Sequence, residues 1–270
     1  MNKILFELKD VHFSYLKKFP ALCNVSLNIT ASQMITIIGA NGSGKSTLLH
    51  ILDGLVFPEK GSIKAFGQEL REDIFSDREF RCFFRSKVGL VFQNPDVQLF
   101  CPTVKEDILF GPLHLGFDRK QIEKNFDWVV DLLHLQNLLE RSPHQLSIGE
   151  KRKVSIAGVL ISSPEVLLLD EPTAGLDPLT SRQIIDIIIQ SNNEGKTIIT
   201  ATHDLHLVEE ISDLIYVFNK NKQIARYGSP DEILKDTEFL QIHNLIHTHS
   251  HKHEDKIHTH LHSHSKHHIE

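Results

Sequence analysis

Eight consecutive residues, Gly39-Ala40-Asn41-Gly42-Ser43-Gly44-Lys45-Ser46, spell G-x-x-x-x-G-K-[ST] and are followed by Thr47. The chemistry of that pattern is phosphate binding. Its glycines let successive backbone N–H groups turn inward around anionic oxygens, and a following helix N-terminus adds positive potential. Lys45 reaches the terminal phosphates of a nucleotide, and the Ser46 hydroxyl can ligate Mg²⁺. The bland alternative is a glycine-rich turn before a helix, but a Lys-Ser-Thr run at a helix start has little structural reason to exist. A second chemical signal is Asp170-Glu171, which closes an all-apolar run over 166–169. An Asp at the end of a buried strand can hold the magnesium shell, and the next carboxylate can orient or deprotonate an attacking water. Read alone, Asp-Glu-Pro would serve equally as a helix N-terminus.

The third signal is histidine. Eleven of the 18 histidines lie between His243 and His268, with His-x-His spacing at His247, His249, His251 and His253 and again at His258, His260, His262 and His264. Neutral imidazoles are good ligands for Ni²⁺, Co²⁺, Zn²⁺ and Cu²⁺, and a flexible chain lets them converge. A polar tail without a ligand is the competing reading. The alternation resembles a strand, but it has no apolar face, so the tail is expected to be disordered without metal.

Positioning these groups requires particular elements. Residues 34–38 form a short apolar run ending at the glycine loop, and 45–52 have helical character, which gives strand, loop and helix in order. Segments 4–15 and 25–29 alternate like strands around the turn-prone Lys17-Lys18-Phe19-Pro20, predicting an antiparallel start. Further strands are predicted over 61–66, 87–93, 166–169 and 197–201, and helices over 118–135, 150–161 and 179–190. Strands buried on both faces and alternating with helices argue for an α/β fold with a parallel sheet. The stretch 98–163 has helices but no such strand, so a helical subdomain is expected there. Residues 69–86, with Phe75, Phe80, Phe83 and Phe84, fit either a mobile insertion or that subdomain. The histidine bias sets a boundary near 240, dividing the chain into a domain over 1–240 and a flexible tail over 241–270.

Composition narrows the function. With 270 residues, 40% hydrophobic and 24% charged, the chain can bury a large core. A formal charge of -6 disfavours a nucleic-acid partner. Three dispersed cysteines, Cys23, Cys82 and Cys101, indicate neither a disulfide framework nor a thiolate zinc site, in keeping with a reducing compartment. The N-terminus is broken by Glu7, Lys9 and Asp10 and lacks a signal-peptide run, so export is not expected. Apolar runs fall short of the ~20 residues that span a bilayer, so any membrane association is expected to be peripheral.

Between the two halves of the phosphate site stands Leu146-Ser147-Ile148-Gly149-Glu150, followed by Lys151, Arg152 and Lys153. This run resembles the signature loop of the ATP-binding-cassette (ABC) ATPases, members of the P-loop NTPases. The resemblance implies roles for other residues in order. Tyr15 looks like the aromatic that stacks on adenine, and Gln93 like the lid-loop glutamine at the magnesium and the attacking water. Asp177 looks like the dimer-contact aspartate, and His203 like the switch histidine. Taken singly, Tyr15 reads equally well as a core aromatic and His203 as a satisfied strand-end histidine. The resemblance further implies a head-to-tail dimer holding ATP, in which Ser147 and Gly149 of one protomer complete the site built on the other's Lys45. Ile148 and Glu150 depart from the usual glycine and glutamine, which bears on turnover rather than on nucleotide binding.

The segment Phe92-Gln93-Asn94-Pro95-Asp96-Val97-Gln98-Leu99-Phe100 resembles, more narrowly, the lid loop of the ATPase subunits of energy-coupling-factor (ECF) importers for vitamins and for cobalt or nickel ions. That likeness implies transmembrane scaffold and substrate-binding subunits as partners, a second ATPase subunit, and a place on the cytoplasmic face of the membrane. The histidine tail favours a metal cargo over a vitamin. A soluble ABC ATPase is the main competitor, but the roughly hundred residues between Lys45 and Ser147 leave no room for a long coiled coil. A metal storage or delivery protein with an ATPase appendage is another, against which the full set of hydrolysis residues counts.

Overall fold

The computed structural model describes residues 3–253 and 256–263, with side chains placed through residue 246. Two sheets organise the chain. An antiparallel sheet has the order β2-β1-β4-β5, from β1 (Ile4–Tyr15), β2 (Phe19–Thr30), β4 (Lys60–Ala65) and β5 (Gln68–Glu69). The second sheet is six-stranded, ordered β10-β9-β3-β8-β7-β6. It comprises β3 (Met34–Gly39), β6 (Val88–Val91), β7 (Val166–Asp170), β8 (Thr197–Thr202), β9 (Leu214–Phe218) and β10 (Ile224–Gly228). The sheet is parallel except at β10, which pairs antiparallel with β9.

The apolar character of β7 follows from burial on both faces. Leu168 enters a core shared with the antiparallel sheet and α1 (Lys45–Leu52), whereas its neighbours Leu167 and Leu169 enter a second core. That second core is built with α3 (Val104–Leu115), α4 (Arg119–Leu133), α5 (Ile148–Leu160) and α6 (Pro178–Asn193). Period-two alternation therefore distributes one strand between two cores, and no polar face remains to mark it. The predicted helical subdomain corresponds to α3, α4 and α5.

Residues 69–86 belong to neither of the places open to them from sequence. They contribute a short 3₁₀ turn (Asp73–Ser76) and most of α2 (Arg78–Lys87), whose Phe80 and Phe84 are buried in the first core. Phe75 meets Phe57, Phe80 and Phe84 at centroid distances of 5.5, 5.2 and 5.2 Å. This aromatic cluster shares the first core with the antiparallel sheet and the phosphate-loop helix, because Phe80 and Phe84 fall on one face of the amphipathic α2.

After α7 (Leu205–Ile211), α8 (Pro230–Leu234) and α9 (Thr237–Ile242), Leu240, Leu245 and Ile246 close a small core with Ile38, Val208, Ile215, Val217 and Ile233. Beyond it the backbone pairs as an antiparallel ribbon of β11 (Ile246–His253) and β12 (Lys256–Ser263). A ribbon and the expected disordered tail are the two states open to this segment. A period-two sequence interspersed with Thr and Ile can adopt a ladder, yet an isolated two-stranded hairpin is marginal in water, so the two states lie close in free energy. Among the described residues no helix is long and apolar enough to cross a membrane.

Candidate functional site

Four adjacent parallel strands end on the same edge of the sheet, and each delivers a group singled out in the sequence. β3 runs into the phosphate loop, and β8 is followed by His203. β7 ends at Asp170 with Glu171 beyond, and β6 is followed two residues later by Gln93. The register fixes the alignment: Ile38 lies opposite Thr202, Asp170 opposite Ala201, and Val91 opposite Leu169. Carboxyl ends of parallel strands are where open α/β sheets bind ligands.

The loop itself depends on backbone that only glycine supplies. Gly44 has φ 107°, and a Cβ there would lie 2.3 Å from the Ala21 carbonyl oxygen. Lys45 is buried and its Nζ donates to the Gly39 carbonyl at 2.8 Å and the Ala40 carbonyl at 3.4 Å. Burial lowers its pKa, partly offset by the nearby Glu171 and Asp170 carboxylates. The ammonium is thus folded onto the carbonyls of its own loop. A cleft beside it is lined by Tyr15, Asn41, Gly42, Gly44, Lys45, Ser46, Thr47, Gln93, Asp170 and Glu171. Gly39 and Ser43 do not line it but pack against each other within the loop: a Cβ on Gly39 would meet the Ser43 hydroxyl at 2.5 Å. Tyr15 stands at the cleft's rim, with its hydroxyl 3.3 Å from that of Thr47 and its ring edge-on to Phe13.

Asp170 is buried, accepts a hydrogen bond from Ser46 and leaves Oδ1 without a partner. Burial raises its pKa, against the lowering effect of the Ser46 bond. An orphaned buried carboxylate oxygen beside a serine hydroxyl, with the Gln93 amide lining the same cleft, is a hard oxygen donor set that suits Mg²⁺. Glu171 is fixed more tightly. Its backbone is in the left-handed region at φ 46°, its N–H donates to Ala201 O at 2.8 Å, and its carboxylate accepts from Thr202 Oγ1 at 3.0 Å. The other carboxylate oxygen meets His203 Nδ1 at 2.7 Å, and this bond raises the His203 pKa. A non-glycine residue in that conformation persists where its surroundings over-determine it.

The chain belongs to the ABC transporter family. The model of that domain, described as ABC transporter, matches residues 22–174. Among relatives of this ABC ATPase, the nickel import ATP-binding protein NikO of Rhodobacter capsulatus is 45% identical over 87% of the chain and 93% of its own length. The energy-coupling factor transporter ATP-binding protein EcfA of Methanocaldococcus jannaschii is 40% identical over 89% of the chain and 85% of its own. The solved structure of cbiO1 from Clostridium perfringens, part of the ABC transporter complex cbiONQ, superposes with a TM-score of 0.75 at 33% identity. It covers 90% of this chain and 95% of that one.

Three residues picked from sequence stay away from the ATPase cleft. Ser147, Gly149 and Asp177 do not line it. Ser147 is the N-cap of α5 in a capping box: Glu150 N–H donates to Ser147 Oγ, while Ser147 N–H and Oγ–H donate to the Glu150 carboxylate at 2.7 and 2.8 Å. Asp177 caps α6 by accepting from Thr180 N–H and Oγ1–H, which lowers its pKa. Gly149 lies against Thr180, so the two caps are neighbours. Four contributors escaped sequence reading: Phe19, Pro20 and Ala21 at the start of β2, and Lys222, between β9 and β10, whose Nζ donates to the Gly42 carbonyl. The β9–β10 hairpin carries Lys222 there, 180 residues along the chain from Gly42. Of the tail histidines, His247, His249 and His251 stand in register with His262, His260 and His258, and His253 with Lys256. His264 lies outside the described residues.

Proposed function

We propose that this ATPase powers an ECF-type importer for nickel or cobalt ions from the cytoplasmic face of the membrane. It would act there with a transmembrane scaffold, a substrate-binding membrane subunit and a second ATPase, itself or a relative. In this reading Lys45 and the backbone of residues 39–44 hold the phosphates of ATP, and Tyr15 stacks on the base. Ser46, Gln93 and Asp170 would hold Mg²⁺, which when bound neutralises charge on the terminal phosphates. Glu171 takes the proton of the attacking water, and His203 orients Glu171. Ser147, Gly149 and Asp177 serve the partner's nucleotide.

One observation carries the importer reading. The loop that begins at Gln93 in the nucleotide cleft continues to Val97 and Phe100, exposed by 63% and 64%. Phe100 stacks edge-on with Phe110 at 4.8 Å. Exposed apolar side chains on a loop rooted in the hydrolysis site mark a surface for a partner that senses nucleotide. The tail supports a metal cargo, and relatives named for nickel import and for energy coupling agree with both points.

The cargo is tested by uptake. Cells supplying the membrane subunits should accumulate nickel or cobalt with the intact chain and not with Glu171→Gln, and uptake of a vitamin instead would select that alternative. The tail is tested by calorimetry on a chain ended after Ile246, which keeps Leu245 and Ile246 in their core. High-capacity nickel binding at pH 7.5 should disappear while basal ATPase activity stays. In the full chain that binding should weaken steeply below about pH 6, as protons compete for imidazole. Equal metal uptake by the shortened chain would remove the tail from the metal site.

A further inference from the structure

The bulkiest fully buried side chain in the described part of the molecule is a cation. Arg152, on α5, is 1% exposed, although it sits between Lys151 and Lys153, which both reach solvent. Among the described residues no carboxylate pairs with it. Its fork instead donates Nη1–H to the Phe92 carbonyl and Nη2–H to the Gln93 carbonyl, each at 2.5 Å, while Nε has no partner. Burial lowers its pKa, with Asp170 and Glu171 pulling the other way, so the cation lies within the field of the hydrolysis carboxylates. A buried, unpaired guanidinium is costly, and an apolar side chain of similar size would satisfy the core better. What the fork supplies is direction, because two donors in one plane fix two successive carbonyls and so the Phe92–Gln93 peptide.

Two further pins join the same pair of elements. Gln98 accepts from Phe92 N–H at 3.3 Å and donates to the Ser155 carbonyl on α5 at 3.0 Å. Lys151 Nζ meets Asp96 at 2.6 Å. The lid loop therefore hangs from α5, the helix that Ser147 caps. We propose that Arg152 is a positioning residue for hydrolysis: by clamping the carbonyls of Phe92 and Gln93 to α5 it sets where the Gln93 side chain stands over the nucleotide. It follows that any movement of α5 toward a partner's nucleotide moves Gln93 in its own site. The proposal rests on the reading of Gln93 as a nucleotide-site residue.

Steady-state phosphate release and ATP affinity of the full chain test it, with Arg152→Lys, Gln93→Ala and the double variant. Arg152→Lys, which keeps the charge but loses the planar fork that fixes both carbonyls in one orientation, should lower kcat about tenfold with ATP affinity held within about twofold, because the clamp acts on placement rather than on ground-state binding. In the Gln93→Ala background the same substitution should cost nothing more, since two changes acting through one group are non-additive. Losses that multiply would overturn the proposal and leave the reading of Gln93 intact. A silent Gln93→Ala would overturn both. If Arg152→Lys fails to fold, Gln98→Leu removes a neighbouring pin and must show the same split and the same non-additivity, and an unchanged kcat there would also overturn it.

Discussion

Glu171 is held at three points, by Ala201, Thr202 and His203, in a conformation that non-glycine residues avoid. Glu171→Gln keeps the shape and loses the base, so phosphate release should fall on the order of 10²–10⁴-fold with ATP affinity retained. Near-normal turnover would refute the role. Lys45→Ala should differ in kind and weaken binding itself, because its proposed contact with phosphate would already be made in the ground state. His203 supplies a pH signature. Its bond to Glu171 raises its pKa, so the pair's contribution is complete below the ordinary histidine value and fades as pH rises through the raised one. The melting-temperature gap between the nucleotide-free chain and His203→Ala should accordingly be larger at pH 6 than at pH 9. A gap independent of pH would mean that no charged pair is present.

At the scale of elements, the phosphate-loop helix is fastened at its far end. Asp53, the C-cap residue of α1, is buried and paired with Arg85 of α2 at 2.7 Å, and Arg85 also donates to the Asp53 carbonyl and lies over Phe75 and Phe84. Burial pushes the Asp53 carboxyl up to about 6, with Arg85 opposing. A folded-state value above the unfolded one means that the native chain binds the extra proton, so this residue makes stability fall as pH rises from about 4 to about 6. Denaturant melts across that window should show the slope in the parent and lose it in Asp53→Asn. Equal slopes would place the ionisation elsewhere. The element also explains the histories of its residues in sequence: charges and phenylalanines over 69–86 look irregular until α2 sets Phe80 and Phe84 on one side.

For the molecule as a whole, Ser147 and Asp177 cap their own helices and do not line the local cleft, which leaves part of the proposed machinery of each chain without a role in its own site. A mixed dimer of Lys45→Ala and Ser147→Arg chains would retain one intact composite site, whereas each homodimer has none. Mixing should restore ATP binding at one site, measurable as nucleotide stoichiometry. Failure to restore it would argue for a site complete within one chain. Glu150 bears on the same step, because the Ser147 hydroxyl donates to its carboxylate and must release it before it can donate to a phosphate.

The phosphate loop, the Asp170-Glu171 strand end and the signature loop were legible because each is a contiguous run. Their requirements, glycine at positive φ, a donor at a helix start and apolar residues on both faces of a strand, are met within a few residues of backbone. The alternation of strands and helices was legible for the same reason, since periodicity is local. Tertiary structure alone decided which of Lys151, Arg152 and Lys153 is buried: three adjacent cations look alike until the lid loop is packed against one side of α5. It alone carried Lys222 to Gly42, set α2 against the phosphate-loop helix and drew Leu245 and Ile246 into a core beside the histidine tail. Burial depends on what arrives from elsewhere in the chain, and no spacing within a segment records it.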